Sequence, residues 1–279
     1  MSMDSFRRED LVFDVRDVGT GATGTVVLLH GFPQDSTAYD GVVPALVDAG
    51  LRVLVPDQRG YSPRARPPGR GAYAMGELVA DVLALLDAAH VEKAHVVGHD
   101  WGGAVAWGVA GRHAHRVASV TVLSTPHPAA MQEVMLRSTQ GLRSSYIGGF
   151  QLPWVPEALA LAAGGALLRA VLTRSGLPGP AAEHYVARMR EPGALRAALG
   201  WYRAVPLSAG HGPGRIRVPS TFVHGTRDPF FAGAAVRETA RFVVGDLRTV
   251  ALDAGHWLPE TRAADVSAAV LEQVSRGRA

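Results

Sequence analysis

The sequence predicts an α/β fold in which a mostly parallel, twisted sheet is flanked by helices and carries an inserted helical lid. Short, almost entirely apolar runs alternate along the chain with segments of helical periodicity. This alternation is expected when parallel strands are buried on both faces of a sheet. It stops between about residues 127 and 213, where only helical and Gly/Pro-punctuated segments occur.

Each core element is predicted from its own pattern. Leu11–Val18 is predicted as an antiparallel edge ribbon, and the apolar residues between Leu78 and Leu86 recur at the spacing of a helix face that packs on a sheet. The predicted parallel strands are Thr25–His30, Arg52–Asp57, Ala94–His99, Ser119–Ser124, Ser220–Gly225 and Leu247–Asp253. The predicted core helices are Ser36–Ala49, Met75–Ala89, Gly102–His115, Gly233–Val243 and Ala263–Ser275.

The interruption divides the chain into two parts. We assign residues 1–126 and 214–279 to the α/β core and residues 127–213 to a helical cap. An insertion of this length after a strand is usually functional. Open α/β sheets bind ligands beyond the carboxyl ends of their strands, so we expect the cap to cover that edge.

Composition excludes several classes of protein. Among 279 residues, 47% are hydrophobic and 19% are charged, which is typical of a globular chain rather than a disordered one. The net charge of +3 comes without a basic run, so we expect no nucleic-acid partner. The chain has no cysteine, which rules out disulfides, thiol catalysis and cysteine-ligated zinc.

Cofactors and membrane spans are not expected either. The sequence has no HExxH, P-loop or strand-following GxGxxG pattern, so no metal or cofactor is predicted. The N-terminal segment is polar, and the apolar stretch Ala158–Ala170 is short and interrupted by glycine, which favours a lid helix over a membrane span. We therefore expect a cytoplasmic protein, and the sequence leaves its oligomeric state open.

The strongest chemical signal follows the predicted strand Ala94–His99. Asp100 is flanked by Gly98, Gly102 and Gly103, which is the pattern of a nucleophile elbow with aspartate in place of serine. Such an elbow is strained, and its neighbours must lack bulk for the chain to turn. The helix that follows directs its N-terminus at the site, which favours a carboxylate there.

Two partners follow later in the chain, each just past a predicted strand. Asp228 lies in HGTRDP and His256 lies in AGHW. Nucleophile, acid and histidine in this chain order are typical of a catalytic triad on a doubly wound sheet. Asp228 is predicted to fix the tautomer of His256 and to stabilise its charged form.

A third signal is His30-Gly31-Phe32-Pro33, directly after the first core strand. Such a loop supplies one backbone N–H to an oxyanion hole, here from Phe32. The residue after the nucleophile, Trp101, is predicted to supply the second.

These motifs together resemble one family. HGFPQ, DQRGYSPRARP, GHDWGG, HGTRDPF and AGHWLPE are similar to the epoxide hydrolase branch of the α/β-hydrolases, which is close kin of the haloalkane dehalogenases. The resemblance covers nearly the whole chain and implies the α/β-hydrolase fold with an aspartate nucleophile. The chain departs from the family at Tyr39, where Trp is common, and at Gly148 and Gly149, where bulkier residues are common.

The resemblance also implies roles for residues of the cap. Epoxide hydrolases carry two cap tyrosines that hydrogen-bond the epoxide oxygen, and Tyr146 and Tyr202 lie in segments similar to those that bear them. The predicted substrate-binding residues are Phe32, Trp101, Phe150, Trp154 and Trp257.

A carboxylate nucleophile restricts the chemistry. Aspartate is ionised at neutral pH, and its attack on an sp³ carbon gives an ester that water can hydrolyse. Attack on a carboxylic ester would give an anhydride instead, so Asp100 favours an epoxide or an alkyl halide. We predict epoxide hydrolysis to a vicinal diol, with an epoxide and water as the only reaction partners.

Two alternatives remain open from the sequence. A haloalkane or haloacid dehalogenase would use the same Asp100 and would need halide donors, for which Trp101 and Trp154 are candidates. A non-catalytic ligand binder on the same fold is the other, because one scaffold hosts many activities.

Overall fold

An eight-stranded sheet runs through the centre of the protein in the computed structural model, which describes residues 2–208, 210 and 212–276. The strand order is β1-β2-β4-β3-β5-β6-β7-β8. The first two strands are antiparallel to their neighbours, and the other six are parallel to one another. The strands are β1 (Ser5–Arg8), β2 (Leu11–Val18), β3 (Thr25–Leu29), β4 (Arg52–Pro56), β5 (Ala94–His99), β6 (Val117–Leu123), β7 (Ser220–Gly225) and β8 (Leu247–Leu252). The mostly parallel sheet and its antiparallel ribbon are thus confirmed.

Helices cover both faces of the sheet and form the insertion. The helices are α1 (Val43–Asp48), α2 (Met75–Ala88), α3 (Trp101–Arg112), α4 (Pro128–Val134), α5 (Gln140–Arg143), α6 (Tyr146–Phe150), α7 (Val155–Arg174), α8 (Gly179–Met189), α9 (Ala194–Arg203), α10 (Gly233–Glu238), α11 (Leu258–Thr261) and α12 (Ala263–Arg276). Short 3₁₀ turns occur at Ser36–Tyr39, Arg70–Tyr73, Ala114–Arg116, Val205–Ser208 and Thr239–Phe242. The apolar stripe predicted on α2, from Leu78 to Leu86, is buried.

Two predicted helices are broken in the structure. The segment predicted as Ser36–Ala49 begins as a 3₁₀ turn capped by Asp35, and α1 begins only at Val43. Pro44 has no backbone N–H and fits only the first turn of a helix, so the chain restarts there. The segment predicted as Gly233–Val243 likewise ends as the 3₁₀ turn Thr239–Phe242.

Strand β1 was not predicted. It has only four residues, of which Phe6 alone is apolar, so it has no recognisable period. Phe6 stacks on Phe13 of β2 with ring centroids 4.7 Å apart. A contact between strands, rather than local propensity, therefore explains this edge of the sheet.

The insertion between β6 and β7 is helical throughout its described part. Helices α4 to α9 follow one another here, and no strand occurs among the described residues of 127–213. This arrangement is the one expected of a cap, and its boundaries remain predictions. The cap packs over the ends of the strands that carry the candidate site.

Helix α7 contradicts one expectation. It extends through Arg174, beyond the predicted stretch Ala158–Ala170, and by length and composition alone it could cross a membrane. The predicted stretch was therefore too short. The backbone leaves helical geometry at residues 162–165, and Leu168 and Leu172 are buried against the cap cavity.

Candidate active site

The predicted reactive residues meet at one edge of the sheet. Asp100 follows β5, Asp228 follows β7 and His256 follows β8, while Phe32 follows β3. The carboxyl ends of parallel strands point the same way, so these residues converge although up to 224 positions separate them in sequence.

Asp100 occupies a strained elbow between β5 and α3. Its φ is 51° and its ψ is −121°, a conformation that L residues rarely adopt. The turn is possible because two glycines flank it at close range. A Cβ on Gly98 would lie 2.1 Å from the Gly102 carbonyl oxygen, and one on Gly102 would lie 2.1 Å from that of Leu29. Strain held in this way is common at functional sites.

The two carboxylate oxygens of Asp100 have different surroundings. Oδ1 accepts a hydrogen bond of 2.9 Å from the backbone N–H of Phe32. Oδ2 lies 3.6 Å from Nε2 of His256, and Asp100 lines the cavity. Trp101 is the first residue of α3, and its backbone N–H has no hydrogen-bond partner among residues 2–208, 210 and 212–276. Phe32 therefore holds one oxygen, and the other is free to react.

His256 is oriented by Asp228. Nδ1 of His256 lies 2.8 Å from Oδ2 of Asp228. The other oxygen of Asp228 accepts from the amides of Phe230 and Phe231, at 2.7 and 3.2 Å. Asp228 is thus saturated with donors, and Nε2 of His256 faces Asp100.

The charges of this triad set the protonation states. Burial alone would lower the pKa of His256, but the carboxylates of Asp228 and Asp100 raise it to about 10. Burial would raise the pKa of Asp100, but the hydrogen bond and charge of His256 bring it below its usual range. At neutral pH the resting site therefore holds an ionised Asp100 beside a protonated His256.

Gln34 and His99 support the loops of the site; His99 is predicted from the sequence to support the backbone there, whereas Gln34 is not. The side chain of Gln34 accepts from the Gly31 amide at 2.7 Å and lies 2.8 Å from Nδ1 of His99. His99 Nε2 lies 2.9 Å from the carbonyl oxygen of His256. These contacts join the oxyanion loop to the histidine loop. The HGFPQ motif contained the signal for Gln34, but its direction could not be read from the sequence.

Tyr146 and Tyr202 lie on the cap side of the same space. Their rings pack edge to face with centroids 6.0 Å apart, and Phe32 contacts Tyr202 at 5.3 Å. Burial raises the pKa of both phenols, so both are protonated at neutral pH and can donate hydrogen bonds.

A cavity of about 530 Å³ extends from Asp100 through the cap. Beyond the reactive residues its walls are apolar and contain no charged side chain. Its lining includes Phe32, Asp100, Tyr146, Phe150, Leu152, Val155, Leu159, Leu167, Leu168, Val171, Leu172, Leu195, Leu199, Tyr202, Phe230, His256 and Trp257. Phe32, Phe150 and Trp257 therefore lie where a substrate would bind, and Phe230 was not predicted.

Two predicted substrate-binding residues lie elsewhere. The Trp101 ring packs against Tyr202 and Trp201, at 5.0 and 5.7 Å, because it begins α3 beneath α9. Trp154 is 71% exposed and lines a separate outer groove, between residues 63–73 of the core and residues 151–154 and 192–203 of the cap. Its left-handed backbone, with φ of 59°, turns the chain directly before α7. The assignment of both side chains to the substrate cavity is corrected accordingly.

Comparison with known proteins places this geometry in context. Residues 24–263 match the family described as the alpha/beta hydrolase fold. The chain is 37% identical to the AB hydrolase superfamily protein YfhM of Bacillus subtilis, over 88% of each chain. It is 34% identical to epoxide hydrolase A of Mycobacterium tuberculosis, over 92% of each. The crystal structure of epoxide hydrolase A from Mycobacterium thermoresistibile superposes with a TM-score of 0.83, at 29% identity and 97% coverage of each chain.

Proposed function

The chain belongs to the α/β-hydrolase family, in its epoxide hydrolase branch, and from this premise we propose that it hydrolyses a neutral, lipophilic epoxide to a vicinal diol. One observation carries the proposal. An ionised carboxylate, rather than a serine, occupies the elbow and faces an apolar cavity that also holds two protonated phenols. Residues 127–213 are proposed to act as the cap that supplies those phenols.

In the first step Oδ2 of Asp100 attacks a ring carbon of the epoxide. A bond forms between that oxygen and the carbon, and the carbon–oxygen bond of the ring breaks. Tyr146 and Tyr202 hydrogen-bond the departing oxygen, and one of them transfers its proton to it. An alkoxide is a poor leaving group, so this proton transfer lowers the barrier. Oδ1 stays on the Phe32 amide, which supports its role as the carbonyl oxygen of the ester.

In the second step water hydrolyses the ester. His256 takes a proton from a water molecule, and the resulting hydroxide attacks Cγ of Asp100. The amides of Phe32 and Trp101 stabilise the oxyanion that forms. The bond between Cγ and the oxygen carried by the substrate then breaks, and that oxygen takes the remaining proton of the water molecule. The diol leaves, and Asp100 is restored as a carboxylate with one oxygen from water.

Esterification also explains how a protonated histidine becomes a base. The ester of Asp100 carries no charge, so one of the two carboxylates that raise the pKa of His256 disappears when it forms. The ring then loses its proton more readily, and that proton neutralises the tyrosinate that the first step leaves. Nε2 then becomes able to accept a proton from water. His256 therefore acts as a base only after the ester of Asp100 has formed.

This account predicts a shift in the titration of His256. Asp100→Asn replaces an anion by a neutral group, which removes support for the imidazolium, so the pKa of His256 should fall below its wild-type value of about 10. NMR titration of the imidazole ring in the two proteins measures the change. An unchanged pKa would mean that Asp228 alone controls this histidine, and the proposed activation by esterification would be wrong.

The phenols give a second prediction. The double variant Tyr146→Phe/Tyr202→Phe is expected to lose about 10²–10⁴ in the rate of ester formation, because no proton can then reach the departing oxygen. Stopped-flow single turnovers measure this step. Tyr73→Phe is the matched control, since its hydroxyl donates to the carbonyl oxygen of Pro67 and does not line the cavity. Equal rates in the double variant and the wild type would contradict the assigned role.

A paired assay tests the proposed function itself. One sample receives a panel of neutral alkyl and aryl epoxides, and diols are followed by mass spectrometry; the other receives haloalkanes and fluoroacetate, and halide release is followed. We expect diols and no halide. Halide release without diol would make the protein a dehalogenase, although neither of the two candidate halide donors, Trp101 and Trp154, lines the cavity.

A further inference from the structure

The outer groove is a second cavity. Its lining contains arginine side chains, whereas the lining of the catalytic cavity is mostly apolar. It measures about 650 Å³ and lies between the loop after β4 and the cap. Helix α9 separates the two spaces: Leu195, Leu199 and Tyr202 line the catalytic cavity, while Arg196 and Arg203 line the groove. Nothing in the proposed reaction uses the groove.

Two arginines hold the groove walls in place. Arg203 forms a bidentate pair with Glu157, at 2.6 and 3.0 Å, and also donates to carbonyl oxygens of residues 150 and 152. Arg66 pairs with Glu191 at 2.8 Å and donates to carbonyl oxygens of residues 60, 61 and 192. Each therefore has its charge neutralised and its donors occupied. Five prolines, at positions 63, 67, 68, 153 and 192, further stiffen the lining.

Two further arginines leave the groove positively charged. Arg70 and Arg196 are exposed and form no hydrogen bond or ion pair among residues 2–208, 210 and 212–276, although Arg196 is near enough to Glu157 to help lower the pKa of that carboxyl. No acidic side chain is among the residues that line the groove. Two guanidinium groups are thus available to a ligand, and a guanidinium binds phosphate or carboxylate oxygens with paired donors.

An aromatic surface completes the groove. The indole of Trp154 is 71% exposed although large apolar side chains usually avoid solvent. Trp154 itself has a left-handed backbone conformation between Pro153 and α7, so the position of its indole is set by the backbone rather than by packing. A flat ring can stack on an indole held in this way.

We propose that the outer groove binds an organic anion in which a phosphate-like group is attached to a flat aromatic ring. Arg70 and Arg196 bind the anionic group, and Trp154 stacks on the ring. The site is separate from the catalytic cavity, and its occupancy does not depend on the reaction proposed above.

Isothermal titration calorimetry with 1-naphthyl phosphate tests the proposal at low ionic strength. We expect one saturable site whose affinity falls at least about tenfold in Arg70→Gln/Arg196→Gln, because charge-assisted hydrogen bonds are lost. Added salt should weaken binding as well. Arg174→Gln, at the exposed end of α7, removes the same charge outside the groove and should leave the affinity unchanged.

Smaller probes separate the two parts of the site. Trp154→Ala should weaken binding of 1-naphthyl phosphate but not of inorganic phosphate, which has no ring to stack. Equal binding in the wild type and the arginine double variant would mean that the probe binds outside the groove and would overturn the proposal. Absence of binding at millimolar probe would overturn it too. Neither result depends on turnover, so a failure of the proposed function would be seen separately.

Discussion

Asp100→Ala is expected to reduce diol formation by at least about 10⁴-fold, the order of loss that follows removal of an essential member of a catalytic triad. No other carboxylate can replace it, because Asp228 is turned towards His256 and saturated by backbone donors. Initial rates with saturating epoxide, compared at equal concentrations of folded protein, measure the loss.

The control for this variant is Asp253→Ala. Asp253 is an exposed acid three positions before His256 and pairs with Arg227 on the surface. Its removal should leave the rate within a factor of about two, as expected for an exposed ion pair away from the site. Residual turnover within tenfold of wild type in Asp100→Ala would show that water attacks the epoxide directly.

His256→Gln should separate the two steps. Ester formation uses Asp100 and the phenols, so it should persist, whereas hydrolysis loses its base and should slow by at least about 10³-fold. Intact-protein mass spectrometry should then find the protein heavier by the mass of one epoxide. His115→Gln, an exposed histidine beyond α3, should show neither effect.

The absence of an adduct in His256→Gln would count against a covalent route if turnover were also lost. The position of the Asp100 carboxylate favours formation of the adduct. Asp100 lines the cavity, and its Oδ2 lies 3.6 Å from Nε2 of His256. Glutamine at position 256 should therefore leave the attack of Asp100 on the epoxide possible.

The sequence carried more information about the triad than about the cavity. Asp100 and Asp228 follow buried strands and His256 follows the partly exposed edge strand β8, and parallel strands bring such positions to one edge whatever the detail of packing. The glycines around the elbow are similarly local, because the strained backbone requires them within a few residues. These features depend on spacing along the chain.

The directions of the side chains around the cavity could not be predicted in the same way. Trp101 and Trp154 are both aromatic residues in recognisable motifs, yet one packs under α9 and the other lines the outer groove. Their directions depend on where α7 and α9 begin relative to the core. The seven leucines of the cavity wall, such as Leu159 and Leu168, had no motif to mark them. The unpaired charges of Arg70 and Arg196 likewise become visible only when the two groove walls meet.

The central claim is that the oxygen delivered to the epoxide comes from Asp100 and that water reaches the carboxylate afterwards. A single turnover in ¹⁸O-labelled water, with enzyme in excess over epoxide, tests it most directly. The account predicts an unlabelled diol and a peptide containing Asp100 that is heavier by one ¹⁸O substitution, because the bond between Cγ and the substrate oxygen is the one that breaks. Label in the diol and none in that peptide would show direct attack by water and would contradict the role assigned to Asp100.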